Sequence, residues 1–181
     1  MSGPRIAPGT FRQAGPIASL VAWAGGRQAG TGPLNLFRTL GRHRRLFHGW
    51  LWFAGRLMPG GSLPRRETEL VILRVAVLRD CAYEYRHHVR LGRRAGLTPA
   101  EITALSDGPG WSGWSPRERA VLDAVDALHA DGDLDDATWR RLRDHLGDRE
   151  CIELCMLAGH YEMLATTITA LRIQPEESLL E

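Results

Sequence analysis

Cys81, Glu84 and His88 stand at i, i+3 and i+7, a spacing that puts a thiol, a carboxyl and an imidazole on one face of a helix beginning near Ala82. Three such groups in one cleft can move protons between a substrate and the protein. Cys81 would also sit at the helix N-terminus, where free backbone N–H groups and the helix dipole favour a thiolate. His87 lies about 100° round the helix from His88 and is expected to face solvent or a neighbouring element. Glu69, twelve residues before Cys81, and Arg74 belong to the same stretch of ionisable groups. Inside an apolar helix each needs a partner, and they could simply pair with each other. Plainer readings stand beside the chemical ones: His88 as a core histidine satisfied by a backbone carbonyl, Cys81 as a small inert hydrophobe. Glu69, Glu84 and His88 could hold a divalent cation, but no metal-binding signature accompanies them and no metal is expected.

The elements that must position these groups read as helices throughout. Ser62 is expected to cap a helix with Pro64 in its first turn, and residues 70–78 are apolar nearly all round apart from Arg74, which marks a central buried helix. The helix after Cys81 runs to Ala95 and stops at Gly96. Thr98-Pro99-Ala100-Glu101 and Ser115-Pro116-Arg117-Glu118 are capping boxes, each with proline at the first helical position. Between them lies a loop holding Trp111 and Trp114, expected to bury indole surface. Asp133 and Asp136 are candidates to cap a helix through Arg143 that Gly147 ends, and a last helix runs from about Asp148 to Leu171. On it, Cys151 and Cys155 read as core packing, while His160 and Tyr161 could approach the cluster from across the core. Upstream, residues 35–58 suit one helix broken near Gly41 or two in sequence, with His43 and His48 on the surface. A short helix from Ile17 to about Arg27 is expected to end at Gly25-Gly26. Nothing alternates with period two for long enough to be a strand. The expectation is an all-α bundle of about seven or eight helices over residues 34–175, with residues 1–33 as an extension and 176–181 as a tail.

Composition narrows the setting. An apolar content of 44% suits a globular core. All 23 basic residues are arginine, which fits a GC-rich coding bias. Through Leu97 there are 16 Arg against 4 acids, and after it 7 against 17, so two halves of about +12 and −10 are expected to pack together within or between subunits. The basic half carries only the short pairs Arg44-Arg45 and Arg93-Arg94, a poor nucleic-acid footprint, so no nucleic-acid partner is expected. Three cysteines without a secreted-scaffold spacing point to a reducing, cytoplasmic setting. Arg5 and Arg12 before the apolar stretch 16–24, with Ala22-Trp23-Ala24 as a cleavage-like end, resemble a secretion signal, but that apolar core is short. Residues 46–58 fall well short of the ~20 apolar residues that span a bilayer, so no membrane partner is expected.

Residues 66–76, then Cys81-Ala82-Tyr83-Glu84-Tyr85 and His88, resemble the carboxymuconolactone decarboxylase family, in particular its branch with a Tyr-Glu-aromatic-x-x-His motif. Asn35-Leu36-Phe37-Arg38-Thr39-Leu40, Gly96-Leu97-Thr98, Trp114-Ser115-Pro116-Arg117-Glu118 and Tyr161-Glu162-Met163-Leu164-Ala165 also look like family segments, so the resemblance runs from about residue 34 to 175. It implies an alkylhydroperoxidase D-like fold and a homo-oligomer, a dimer, trimer or hexamer. In the alkylhydroperoxidase D branch a glutamate, a Cys-x-x-Cys pair and a histidine form a proton relay. Those positions fall on Glu69, Cys81, Glu84 in place of the second cysteine, and His88. Without a resolving thiol at residue 84 an intramolecular disulfide cycle fails. The resemblance therefore implies a cofactor-independent acid/base enzyme, a decarboxylase or related lyase or isomerase, acting on a small carboxylate or lactone. His88 would be acid or base, Glu84 its partner, Glu69 a relay, Arg74 or Arg86 an anion clamp, and Tyr83 and His160 further substrate contacts. The alternatives are a thiol-dependent peroxidase using Cys81 and a non-catalytic helical binding module.

Overall fold

Proline and glycine set the bends of the first helix. The structure, a computed structural model, describes residues 3–176, and among these the chain forms nine α-helices and one 3₁₀ turn with no strand. The all-α expectation holds. The chain gathers into two units, Met1–Arg56 with Thr167–Glu181, and Leu57–Thr166.

In the first unit, α1 (Phe11–Ala29) is kinked where Gly15 and Pro16 interrupt it. It does not stop at Gly25-Gly26: any side chain at Gly26 would meet the Gly32 backbone at 2.2 Å, so glycine serves close packing there rather than termination. Helices α2 (Asn35–Leu40) and α3 (Arg44–Leu57) follow, the break falling at Gly41 as expected. Their aromatic residues Phe37, Phe47 and Trp50 pack with Ala14 and Ala18 of α1. The Asn35 N–H donates to Glu176 at 2.6 Å. Apart from Glu176, the expected tail 176–181 lies outside the described residues, as do residues 1 and 2 of the expected extension.

The second unit holds α4 (Arg65–Leu78), α5 (Ala82–Arg94), α6 (Pro99–Ala104), a 3₁₀ turn at Gly108–Gly110, α7 (Pro116–Asp131), α8 (Asp136–Arg143) and most of α9 (Asp148–Leu171). Helix α4 is central: Leu70 to Ala76 are all buried, and it packs against α5 and α7. Burying each Leu, Ile or Val there contributes roughly 1.5–3 kcal/mol. Ser62 does not cap this helix; Pro64 takes the cap position, while the Glu153 carboxylate of α9 accepts the Ser62 and Leu63 N–H groups. Gly96 follows α5 in a left-handed conformation, φ 95°. Asp135, rather than Asp133 or Asp136, caps α8 by accepting the Thr138 N–H at 2.7 Å. The two tryptophans pack edge to face at 4.9 Å, and Trp114 Nε1 donates to the Gly108 carbonyl at 2.9 Å.

Both expected capping boxes form, and each glutamate has a second task. Glu101 accepts the Thr98 N–H and Glu118 the Ser115 N–H. Arg66 of α4 then bonds both carboxylates, Glu118 at 2.9 Å and Glu101 closer still, and reaches the Gly96 carbonyl. One guanidinium thus ties the starts of α6 and α7 to the central helix. Charge-assisted bonds of this kind are worth about 1.5–3 kcal/mol each when shielded and less when partly wet. Arg66→Met is expected to lower unfolding free energy in urea by about 2 kcal/mol. An exposed arginine such as Arg45, changed the same way, should cost less than about 0.5 kcal/mol. Equal losses would mean the triple tie contributes nothing special.

Candidate functional site

Glu69 is fully buried on α4 because its face of that helix looks across to α5 and α9. Its Oε1 pairs with Arg65 one turn earlier at 2.5 Å, and its Oε2 lies 2.8 Å from Nδ1 of His88. A carboxylate oxygen accepts, so the ring proton of His88 belongs on Nδ1, and in the neutral ring Nε2 carries the lone pair. The Tyr161 ring meets the His88 ring edge to face at 5.3 Å. Burial, with the charges of Glu69 and Glu84 adding to it, holds the Tyr161 phenol well above its ordinary range, so it stays an O–H.

Glu84 sits one turn before His88 on α5 and is 2% exposed. The Cys81 thiol interacts with its carboxyl, but outside ordinary hydrogen-bond geometry, so neither oxygen has a full partner. Burial pushes this carboxyl up to about 8; the thiol opposes the shift and the negative charge of Glu162 adds to it. At neutral pH Glu84 is a carboxylic acid. Cys81 caps α5 as expected, but the thiolate does not follow. Burial pushes the thiol up to about 12, the Glu84 charge adds to that, and the N–H groups of Glu84 and Tyr83 oppose it without prevailing. Desolvation outweighs the helix terminus in this pocket.

The structure brings together Glu69, Cys81, Glu84 and His88, and engages Arg74 and Tyr83 with other partners. Arg74 is fully used: Nε and one terminal nitrogen hold Asp126 at 2.6 and 2.8 Å, and the other reaches the Leu105 carbonyl at 2.5 Å. Gly108 lies over this pair at φ 64°, where a side chain would strike the guanidinium at 2.6 Å. Arg74 is therefore a strut between α4 and α7, and it does not pair with Glu69. Arg86 is exposed on α5. His87 does not face solvent: it is buried, its ring stacked on Tyr83 at 4.4 Å and its Nδ1 2.8 Å from the Tyr83 carbonyl. Tyr83 is thereby a packing partner of His87. His160 is buried beside Tyr161, and burial lowers its imidazole to about 4. Two further residues take part. Arg65 was readable from its i, i+4 spacing to Glu69, whereas Glu162 bears on Glu84 only through tertiary packing.

Glu162 also lines a cavity of about 430 Å³ with Val75, Val125, Leu128, His129 and Cys155 among its walls. There it bonds His129 Nδ1 at 2.6 Å and pairs with Arg79 at 3.3 Å. Cys151 is buried with its thiol directed at the Leu146 carbonyl, and all three cysteines are free. No group of metal-ligating side chains suited to a metal ion occurs among the described residues. No helix among them is long and apolar enough to cross a membrane.

The helices that carry the buried Glu69, His88 and Cys81 form an all-α fold like that of alkylhydroperoxidase D-like proteins. The model of the carboxymuconolactone decarboxylase family matches residues 44–127 of the chain. Among solved structures, the chain is similar to an uncharacterized peroxidase-related protein from Silicibacter sp. TM1040, with 18% identity over 99% of this chain and 97% of that one, TM-score 0.82. It is likewise similar to an alkylhydroperoxidase AhpD core protein from Ralstonia eutropha JMP134, with 18% identity, 98% and 96% coverage and TM-score 0.81. The debrominase Bmp8 is a third, with 16% identity, 97% and 94% coverage and TM-score 0.78. At these identities the likeness is one of fold. Comparison with curated proteins gives no match.

The buried groups give the protein a pH signature. Glu84 is raised from 4.5 to about 8, so its stabilisation is complete below about 4.5 and is lost as pH climbs to about 8. His160 is lowered from 6.5 to about 4, so its contribution is complete above 6.5 and is lost as pH falls to about 4. The two oppose each other between 4.5 and 6.5, and from 6.5 to 8 Glu84 acts without His160. The melting temperature of the wild type should fall over that upper window and that of Glu84→Gln should not. Parallel curves for the two would place the Glu84 proton elsewhere.

Proposed function

We propose that the protein is an acid/base enzyme acting on a small molecule, with Glu84 as proton donor and His88 as base. The observation that carries this reading is the neutral, buried Glu84 carboxyl one helical turn from an imidazole oriented by Glu69. An acid that keeps its proton at pH 7 can donate a hydrogen bond to a substrate carbonyl or carboxylate and release the proton as charge develops there. With Nδ1 of His88 held on Glu69, Nε2 is the ring nitrogen left to accept one. Arg65 holds Glu69, and Tyr161 covers His88 with a hydroxyl that stays protonated. The match of residues 44–127 to the carboxymuconolactone decarboxylase family model supports the finer reading, loss of CO2 from a small lactone acid or a related lyase or isomerase step. In that reaction the acid delivers a proton to the carbanion or dienolate left behind. With Arg74 engaged by Asp126, the substrate carboxylate would be met by the Glu84 O–H rather than by Arg74.

Thiol chemistry at Cys81 is the second reading. The debrominase Bmp8, similar in fold, was solved as a cysteine-to-alanine variant in complex with 2,3,4-tribromopyrrole, with 16% identity, 97% and 93% coverage and TM-score 0.81. A thiol held up to about 12 argues against it at neutral pH.

Screening lactone acids and β-keto acids for CO2 release separates the two. Glu84→Gln and His88→Ala should each lower kcat by about 10²–10⁴-fold, with Cys81→Ser within about tenfold of wild type. Because the acid must carry its proton, kcat should decline as pH rises past about 8, and Glu84→Gln should lose that decline. Loss of turnover in Cys81→Ser with Glu84→Gln unharmed would reverse the assignment.

A further inference from the structure

Helix α9 has two apolar sides. Leu154, Leu157, Tyr161 and Leu164 are buried, while Ile152, Met156 and Met163 are 67%, 48% and 49% exposed on the other side, with the exposed Gly159 between the methionines. These four follow one another at steps of four, three and four residues, the rhythm by which one helix packs along another. A Cβ at Gly159 would meet nothing within 4 Å, so open space lies in the middle of the row. Trp139 of α8, 41% exposed, extends the strip at the start of α9, since the Arg143 guanidinium lies 5.8 Å from its ring centroid and pairs with Asp148 at 2.7 Å. A contiguous apolar strip of this kind marks a contact surface.

The same row borders the 430 Å³ cavity. Gly159, Cys155 and Glu162 of α9 form part of its wall with His129 and Gly132 of the neighbouring segment, and both glycines are exposed, so the cavity reaches the surface beside the row. Symmetry and charge indicate what covers it. Ile152 and Met163 are equally far from the midpoint between Leu157 and Ala158, and so are Met156 and Gly159. A two-fold axis through that midpoint sets two copies of α9 antiparallel, with Ile152 against the partner's Met163 and Met156 against the partner's Gly159. Large side chains then meet at the ends, and a long flexible one meets open space in the middle. Antiparallel alignment also opposes the two helix dipoles. The acids beside the row do not resist the pairing, because each is held in its own subunit: Glu153 accepts the Ser62 and Leu63 N–H groups, and Glu162 holds His129 and Arg79. A stable dimer covers roughly 800 Å² of each partner; Ile152, Met156, Met163 and Trp139 supply the centre of such a patch and the cavity rim its edge. We propose that the outer row of α9 pairs with the same row of a second copy, and that the partner's Met156 rests over Gly159 and closes the mouth of the cavity.

The test is sedimentation equilibrium of the full chain over a range of protein concentrations. Wild type should sediment with an even number of 20.1 kDa chains, and Met156→Glu with half that number. A carboxylate without a partner in a dry contact should raise the dissociation constant by at least about a hundredfold. Gly159→Leu fills the open space and should separate the chains too, with the far-UV circular dichroism unchanged, since its Cβ meets nothing in the single chain. On a helix face without a partner the same change would favour the helix and leave the mass alone. Leu20→Ala with Trp23→Ala, on the exposed side of α1, should keep the wild-type mass. Cys155 is the partly exposed one of the three free thiols and lines the cavity, so its reaction with N-ethylmaleimide reports the mouth. It should be slower in paired wild type than in Met156→Glu at the same concentration. If Met156→Glu unfolds the chain, Gly159→Leu decides alone. A wild-type monomer, an odd-numbered assembly, or a mass that both α9 variants leave unchanged overturns the proposal. So does an assembly that the Leu20 and Trp23 pair dissolves while the α9 variants do not. Equal Cys155 rates in paired and separated chains overturn the closing of the cavity.

Discussion

A carboxylate taken out of water must be met by a cation or by several hydrogen bonds, since its desolvation otherwise costs several kcal/mol. Between Leu57 and Thr166 arginine does this for the scaffold. Arg66 gathers Glu101 and Glu118, Arg117 gathers Glu67 and Glu150, Arg74 holds Asp126, and Arg65 holds Glu69. Each pair joins two turns or two helices, so the buried charges also locate α4 against α6, α7 and α9. The site inherits its geometry from them: Arg65 fixes Glu69, and Glu69 fixes the His88 ring. Glu84 departs from the rule. Its neighbours are a thiol and the negative charge of Glu162, and it meets burial by keeping its proton. Scaffold and site thus differ in how a buried acid is satisfied, by a partner in one and by a proton in the other.

Much of this was legible in the residues. The capping boxes at Thr98 and Ser115, the stop at Gly96, the buried run of α4 and the common face of Cys81, Glu84 and His88 all follow from local rules, because caps and i, i+4 neighbours are set within a few residues. Partner choice is not local. Arg74 could be read as a cation in need of an acid, but whether that acid was Glu69 or Asp126, 52 residues away, depends on how α4 and α7 pack. The state of the Cys81 thiol is hidden for a related reason: position at a helix start is visible in sequence, while the depth of burial that outweighs it is not. His87 shows the same limit, since an angle on a helix does not say what covers that angle.

Helix α1 exposes a further ambiguity. Periodicity reports that a helix has two faces, and composition normally says which one is inside, with large apolar residues buried and small or polar ones outside. In α1 the alanines are inside, where close approach to Phe47 of α3 rewards small side chains, and Ile17, Leu20 and Trp23 are outside. Gly25-Gly26 is ambiguous in the same way, a stop by composition and a close contact in the fold. Glycine in a helix costs about 1 kcal/mol against alanine, and here close packing against Gly32 offsets it.

The glutamate that stands where a relay thiol would be expected does more than remove a disulfide partner. Two acidic groups side by side in a dry pocket cannot both ionise easily, because the first charge raises the cost of the second. In the Cys81–Glu84 pair the order is set by the carboxyl at about 8 and the thiol at about 12. Near neutral pH neither is ionised, and when one does lose its proton it is the carboxyl, which drives the thiol further from the thiolate. A pair arranged in this way holds a proton that can be given up before it holds an electron pair on a thiolate sulfur. Glutamate at residue 84 therefore sets acid chemistry and thiolate chemistry against each other, and the first wins by about four units of pH.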